Sequence, residues 1–520
     1  MAAPVRSYLA VIFVALVGTL QHGYHHSVYN QPQWIMMQYM NNSYTAIYGN
    51  SPDDDKLSVL WSLTVSLFAG GLLFGSMCGS AVIIDRYGRK PALVCASIIC
   101  TVGCVLEMIA FWTVHFWLIP LGRFVVGVAI GVGTNSQAVF LSEIAPVELR
   151  GTFGVMATIF LALGTLVANI FGRPDILGTA DRWYALNIVP LIMALFFLAF
   201  SYFLYESPKF LACRRKRDDL ALESLRFYNK QNRDIDGVLD AIKGENTQEG
   251  GLQGLIDLAR KYPGYGIAFL VAYAGSFLVP FCGVFLMYSY LADVSTAAGL
   301  SKDAVDLLSI IYPCIDIVCN FIGARLIDRV GRRPMAIFGS WSVTSVLTVI
   351  CVCQILMENG LGNQKIAQGF VIAAVIGHVV LKASSIAGVS FVLPYEIFPT
   401  PVRGAVASYI CALGVDLGDL LLLFGYLPLK QKVGGYSLLI LFIAPMIVIA
   451  IILTLYCPET KNKHVSEIYA DFMSRKRLLT GKSMDGKYGT FDEPEPEFEK
   501  ETDPLLGKNS KEETAVMHFD

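Results

Sequence analysis

The sequence predicts an all-α membrane protein: twelve transmembrane helices in two pseudo-symmetric six-helix bundles, with cytoplasmic amphipathic helices attached. Three observations predict it. The chain has 520 residues, of which 54% are hydrophobic and only 16% charged; an average soluble chain carries about 25% charge. Its apolar residues are gathered into long runs separated by short charged turns. The charged turns of the first half then return, in the same order, in the second.

A helix that crosses a bilayer needs about 20 apolar residues, and about twelve runs reach that length. They lie near Leu9–Val28, Leu57–Ile84, Ala92–Phe111, Phe116–Leu141, Phe153–Phe171 and Trp183–Leu204, then Ile267–Leu291, Ala304–Ile327, Ala336–Leu356, Gly369–Leu393, Ala405–Leu427 and Ser437–Tyr456. The first run is not followed by a small-residue cleavage site, so it reads as a span and not a signal peptide. Residues 1–208 form the first bundle and 263–456 the second. Between them, residues 209–262 mix charges with apolar residues at helical spacing (Ala221, Leu222, Leu225), the pattern of short amphipathic linker helices. Residues 457–520 form a polar tail, with the composition of a disordered segment from about Gly481 onward.

Three motifs are duplicated. Asp85-Arg86-Tyr87-Gly88-Arg89-Lys90 returns as Asp328-Arg329-Val330-Gly331-Arg332-Arg333. Glu143-Ile144-Ala145-Pro146, closing with Arg150-Gly151, returns as Glu396-Ile397-Phe398-Pro399, closing with Arg403-Gly404. Glu206 returns as Glu459. All of these, with Arg214 to Arg217, fall at one side of the predicted spans. An excess of Lys and Arg marks the cytoplasmic side, so both termini are expected there. A charge at mid-bilayer costs about 2.5–3.5 kcal/mol, but at helix ends charges can pair. Arg89, Glu143, Arg150 and Glu206 in one half, and Arg332, Glu396, Arg403 and Glu459 in the other, are therefore expected to form ion-pair clusters that latch an inner gate. A solvated helix-end charge that only sets topology is the plainer alternative for any one of them.

Taken together these motifs resemble the sugar porter branch of the major facilitator superfamily, similar to the facilitative glucose transporters. Gly122-Arg123-Phe124, Asn30-Gln31-Pro32-Gln33, Glu206-Ser207-Pro208-Lys209-Phe210-Leu211 and Pro458-Glu459-Thr460-Lys461 complete the match, which runs from about Leu9 to Glu467. The resemblance implies the major facilitator fold, a central site at mid-membrane and alternating access by rocking of the two bundles. It also implies where a sugar would sit. At those positions this chain has Thr158, Phe277, Leu278, Gly283 and Phe391 in place of the family's amides and tryptophan. Tyr288 and Ser289 do match. Amides suit a polyol because each offers donors and an acceptor, so the site is expected to be more apolar than a glucose site.

Ionisable residues stand in the spans instead. His25, in Gln21-His22-Gly23-Tyr24-His25-His26, falls where proton-coupled bacterial relatives carry an Asp, and Arg123 is the family's partner to that position. Asp316, Lys382, Asp416 and Asp419 lie within later spans. The solute-binding candidates are thus His25, Arg123, Thr158, Tyr288, Asp316, Phe391 and Asp416. His titrates near neutral pH, which suggests proton coupling or a charged substrate. The plainer readings are a hydrogen-bonded interior histidine for His25 and a structural Asp316–Lys382 pair.

The remaining signals are weaker. Cysteines are spread singly, with no paired spacing for zinc and no disulfide framework; they read as small buried hydrophobes. No metal and no cofactor is expected. A net charge of −2 carries no nucleic-acid footprint. Trp61, Trp112 and Trp117 read as interface anchors, His115 as an outer-loop residue and His378 as a packed helix residue. Gly481-Lys482-Ser483 is a chance match to a phosphate loop. Asn41, in the loop from Asn30 to Lys56, begins a glycosylation triplet. Glu501 with Leu505 and Leu506 resembles an acidic dileucine signal, read by clathrin-adaptor type sorting proteins. The expected partners are a small polar solute, protons and membrane lipids, in the plasma membrane or an endosomal or lysosomal membrane. Two alternatives stand beside a sugar-type transporter: a proton-linked carrier of an organic anion or other non-hexose solute, and a non-transporting nutrient sensor. No nucleophile–base constellation points to an enzyme.

Overall fold

The computed structural model describes residues 5–145, 150–229, 235–244, 251–262, 265–361, 363–399 and 402–480. Among the described residues, twelve helices are long and apolar enough to cross a membrane. In chain order they are Arg6–Ser27, Asp54–Tyr87, Arg89–Thr113, Leu118–Ile144, Phe153–Phe171 and Trp183–Phe203, then Tyr265–Ala297, Lys302–Val330, Arg332–Glu358, Gln364–Ile397, Tyr409–Val433 and Tyr436–Tyr456. These are numbered below as spans 1 to 12. Each predicted run falls on one of them.

The duplication is visible in backbone geometry. Gly88 and Gly331 take nearly the same conformation, φ 116° and 102°, in the turn that separates spans 2 and 3 and spans 8 and 9. A Cβ added at Gly88 would meet Glu206 Oε2 at 2.3 Å, and one at Gly331 would meet Glu459 Oε2 at 2.6 Å. Both turns need glycine for the left-handed backbone and for the carboxylate packed against it.

Several spans are interrupted. Span 7 breaks at Gly283, φ 80°, and the carbonyl of Cys282 is bound by His378 Nε2 at 2.7 Å. Span 1 breaks after Ala15, and the freed N–H of Thr19 donates to Gln137 Oε1 at 2.7 Å. A broken helix persists inside a bilayer only where such partners re-satisfy the backbone. His378 is thus packed, as expected, but with a defined task.

Spans 2 and 11, and spans 5 and 8, pack across the junction of the two bundles. Hydrogen bonds across it run from Asn169 Nδ2 to Ser309 O (2.9 Å), from Ser289 Oγ to His26 O (3.0 Å), from Ala292 N to Asn30 Oδ1 (3.0 Å) and from Gln431 Nε2 to Asp54 O (3.3 Å). These lie in the half away from the basic turns.

Three expectations change here. The predicted loop from Asn30 to Lys56 is largely helix, Gln33–Tyr48, because its apolar face (Met36, Met37, Met40, Tyr44) is buried. Trp61 is no interface anchor; it is buried beside Tyr29, whereas Trp112 and Trp117 are exposed. Cys314 is exposed, unlike most other described cysteines. Between the bundles, helices Asp218–Tyr228, Ile235–Gly244 and Gly251–Lys261 bury Leu225, Leu239 and Leu255. The tail from 481, with the phosphate-loop match and the dileucine residues Glu501, Leu505 and Leu506, lies outside the described residues.

Candidate functional site

The repeated charges do gather, and they gather within each bundle. Arg89 forks onto Glu143, Nη2 to Oε1 at 2.8 Å and Nε to Oε2 at 2.9 Å. Arg332 pairs with Glu396 at 2.9 Å, which also accepts from Thr460 Oγ1 at 2.5 Å. The third acid of each set does something else. Glu206 accepts the backbone N–H of Arg89 at 3.1 Å and of Lys90 at 3.2 Å. Glu459 accepts those of Arg332 at 3.0 Å and Arg333 at 3.2 Å. These N–H groups open spans 3 and 9, where the first turn has orphan donors and a partial positive charge. The expectation that Glu206 and Glu459 serve as ion-pair partners in these clusters is therefore corrected: both are caps supplied from a distant segment. Arg403 Nε donates to Phe398 O at 3.1 Å and shares a surface pocket with Arg332 and Glu396. The side chain of Arg150 lies outside what is described.

The two caps differ electrostatically. Burial pushes the Glu206 carboxyl above its ordinary range, against the pull of the N–H groups of Ser207, Lys90 and Arg89. At Glu459 burial also pushes up. There the backbone N–H bonds from Lys461, Arg332, Arg333 and Thr460 outweigh it, and the carboxyl lies below its ordinary range.

Of the solute-binding candidates, Tyr288 and Asp316 come together, joined by Lys382, inside the second bundle. Lys382 Nζ lies 2.8 Å from Asp316 Oδ2, and the Tyr288 hydroxyl donates to the same oxygen at 2.6 Å. Asn320 Nδ2 donates to Asp316 Oδ1 at 2.9 Å. Lys382 opens a π-helical segment, Lys382–Ile386, within span 10, a distortion often found at functional sites. All three are buried. The Asp316–Lys382 pair weighed from the sequence is present.

The other candidates scatter. Thr158 Oγ1 donates to Val155 O of its own helix at 2.8 Å. Phe391 is 49% exposed. Asp416 is half-buried, and its carboxylate accepts from the hydroxyl of Ser76 in the opposite bundle. Arg123 is buried, with its guanidinium 4.5 Å from the centre of the Phe68 ring and 5.3 Å from that of Tyr29. His25 is buried too, and neither ring nitrogen has a hydrogen-bond partner among the described residues.

The junction is occupied by neighbours of two of these candidates. His26 Nε2 lies 3.5 Å from Asp419 Oδ2, so span 1 of one bundle faces span 11 of the other. The His26 ring stacks on Phe285 of span 7, centroids 4.5 Å apart, and on His22, 5.0 Å apart, with Phe68 edge-on at 4.9 Å. Neither Asp419 oxygen has a hydrogen-bond partner among the described residues. A buried carboxylate in that condition is expensive, so the spot calls for a proton, a protonated imidazole or a polar solute. Sequence reading missed two further groups. Glu107 accepts from the Tyr29 hydroxyl at 2.5 Å, and Asp293 pairs with Lys430 at 2.5 Å between spans 7 and 11. A lone acid inside an apolar run was the available signal for Glu107.

The description "Sugar (and other) transporter" belongs to the family model that matches residues 11–472. This chain belongs to that family. Member 5 of solute carrier family 2, a facilitated glucose transporter from Pongo abelii, is 27% identical over 484 residues, covering 90% of this chain and 92% of that protein. Facilitated glucose transporter protein 1 of Caenorhabditis elegans is 27% identical over 475 residues, covering 89% and 90%. Among solved structures, the inward open conformation of the xylose transporter XylE from E. coli superposes with a TM-score of 0.70 at 18% identity, over 89% of this chain and 99% of that one. As a member of the sugar transporter family with a superposable fold, the chain is a multi-pass integral membrane protein of major facilitator architecture.

Proposed function

We propose that this protein carries a small polar solute of the sugar class across a membrane by alternating access, its two bundles rocking about the junction that holds His26 and Asp419. The single observation that carries the reading is that junction: a buried, half-satisfied acid–imidazole contact between the two bundles. The names of the relatives, glucose and xylose transporters, support the solute class. The solute would contact His22, His26, Phe68, Phe285 and Asp419, with Asp416 beside Ser76. Arg89–Glu143 and Arg332–Glu396, inside their bundles, would act by keeping each bundle rigid and its basic mouth shaped. The basic face would be cytoplasmic, with the 209–262 helices bridging the halves there. Asn41, whose Oδ1 accepts from Ser51 at 2.8 Å, would carry a glycan on the opposite face.

The test is uptake of labelled glucose, fructose and xylose into proteoliposomes. At least one should be taken up saturably, and His26→Ala and Asp419→Asn should each reduce uptake at least about tenfold, the effect of losing about 1.4 kcal/mol. Uptake of none of them, by protein shown to be folded, would defeat the reading. A second reading, proton-linked carriage of the solute, is favoured by the same contact, because protonation of His26 would turn it into an ion pair. Wild-type uptake should then depend on an imposed pH gradient, and Asp419→Asn should abolish that dependence. A rate blind to the gradient would remove it.

A further inference from the structure

We propose that the interior of the first bundle contains a metal site, in which His25, Cys100 and Cys104 together bind one thiophilic cation, Cu(I) or Zn(II). The ligand atoms of these three buried residues all lie within 4.8 Å of one another. The two cysteines stand one turn apart on span 3 and their sulfurs are 4.0 Å apart. A cation bound to thiolate at about 2.3 Å fits between sulfurs at that separation. His25 reaches them from span 1.

The second observation is the imidazole itself. Both nitrogens of His25 are buried without a hydrogen-bond partner among the described residues. Native interiors rarely leave a polar ring so, and a metal bond would satisfy one of them. Phe68 and Tyr24 flank the ring, at 6.1 Å and 5.6 Å between centroids. Phe68 brings no donor or acceptor, and the Tyr24 hydroxyl is already committed to Leu186 O at 2.6 Å.

The donor set selects the ion. Two thiols and one imidazole are soft or borderline ligands, which favour Cu(I) and Zn(II) over Mg, Ca or Mn, whose preferred ligands are oxygens. Binding would release the two thiol protons, leaving two thiolates on the cation. The charged groups that act on the cluster are Arg123, felt by His25 and Cys104, and Glu107, felt by Cys104. The guanidinium opposes the charge of the thiolates. Gln21 Oε1, which now accepts from Cys100 Sγ at 3.1 Å, would lose that proton and become a neutral oxygen at hand. Three ligands suffice for Cu(I); a tetrahedral Zn(II) would recruit Gln21. Either ion would pin span 1 to span 3, and so fix the helix that presents His22 and His26 to the junction. The site stands whether or not the protein transports sugar.

The experiment is a titration of reduced, metal-free, detergent-solubilised full-length protein. One arm uses Co(II) as a spectroscopic probe for the zinc site; the other delivers Cu(I) from a chromophoric chelator. Wild type and Cys319→Ser, a control in the other bundle, should bind one equivalent in at least one arm, with sulfur-to-cobalt charge-transfer bands or chelator bleaching. Cys100→Ser and Cys104→Ser should lose it. Bound metal should also raise the melting temperature of wild type and not of Cys104→Ser. If a variant fails to fold, X-ray absorption of the loaded wild type decides: sulfur and nitrogen neighbours support the site. No binding in either arm, equal binding in the serine variants, or a first shell of oxygen alone would overturn it.

Discussion

Lys382 and Asp316 show how a charge is kept inside an apolar bundle. Every polar atom of the group has company: two carboxylate oxygens share the ammonium, the Tyr288 hydroxyl and the Asn320 amide. Removing one partner strands the other. Lys382→Met should therefore destabilise the folded protein by about 3–5 kcal/mol, seen as a lower melting temperature in detergent. The double change Lys382→Met with Asp316→Asn should recover most of that loss, because no lone charge remains. A double variant as unstable as the single one would show that the pair is not the unit. If the recovered double variant also transports at the wild-type rate, the pair is structural and the solute is handled at His26 and Asp419. From the sequence Asp316 and Lys382 were both readable as ionisable groups within spans. Their partnership was one option among several, because side chains on spans 8 and 10 meet only after the helices pack.

The turn before each of spans 3 and 9 is a second unit of reasoning. Its glycine, its arginine and its distant glutamate form one device: the arginine binds an acid on another span, and its own backbone N–H is capped by Glu206 or Glu459. Gly331→Ala should cost about 1–3 kcal/mol from the strained backbone, and more if Glu459 is displaced. The two caps should answer differently to pH. Glu459 lies below its ordinary range, so it contributes stability that is present above the unfolded value and is lost as pH falls through the folded one. Glu206 lies above, so its charge opposes folding, and the fold gains relatively as pH falls through that raised value. Glu459→Gln should thus lower the melting temperature at neutral pH, with the gap closing in acid. Glu206→Gln should lower it less. Equal losses for both, at every pH, would contradict the electrostatic account. The sequence showed the repeated acids plainly. It did not show that they serve backbone donors, since a cap across more than a hundred residues leaves no local signature.

Across the assembled protein, the ion pairs and the junction divide the work. Arg89–Glu143 and Arg332–Glu396 are internal to their bundles, so a double-mutant cycle on Arg89 and Glu143 should give a coupling of about 1–3 kcal/mol. The same cycle on Arg89 and Glu396 should give a value near zero. Hydrogen bonds on the side away from the basic turns tie the bundles together, among them that of Gln431 with Asp54. Cysteines at these two positions should cross-link readily under oxidation and stop uptake, with reductant restoring it. Full uptake by the cross-linked protein would rule out rocking about this junction.

Composition and order of motifs were enough for the spans, the duplication and the family, because crossing a bilayer demands long apolar helices and a duplicated chain repeats its charged turns. The candidate site was legible only as a neighbourhood. His25 and Asp416 were chosen, while the junction itself is made by His26 and Asp419, one and three residues away. A shift of one residue turns a helical side chain by about 100°, enough to move it from the junction to the bundle interior, where His25 meets Cys100 and Cys104. Which face of a helix looks at which neighbour is decided by packing, and packing between segments far apart in the chain belongs to the tertiary structure alone.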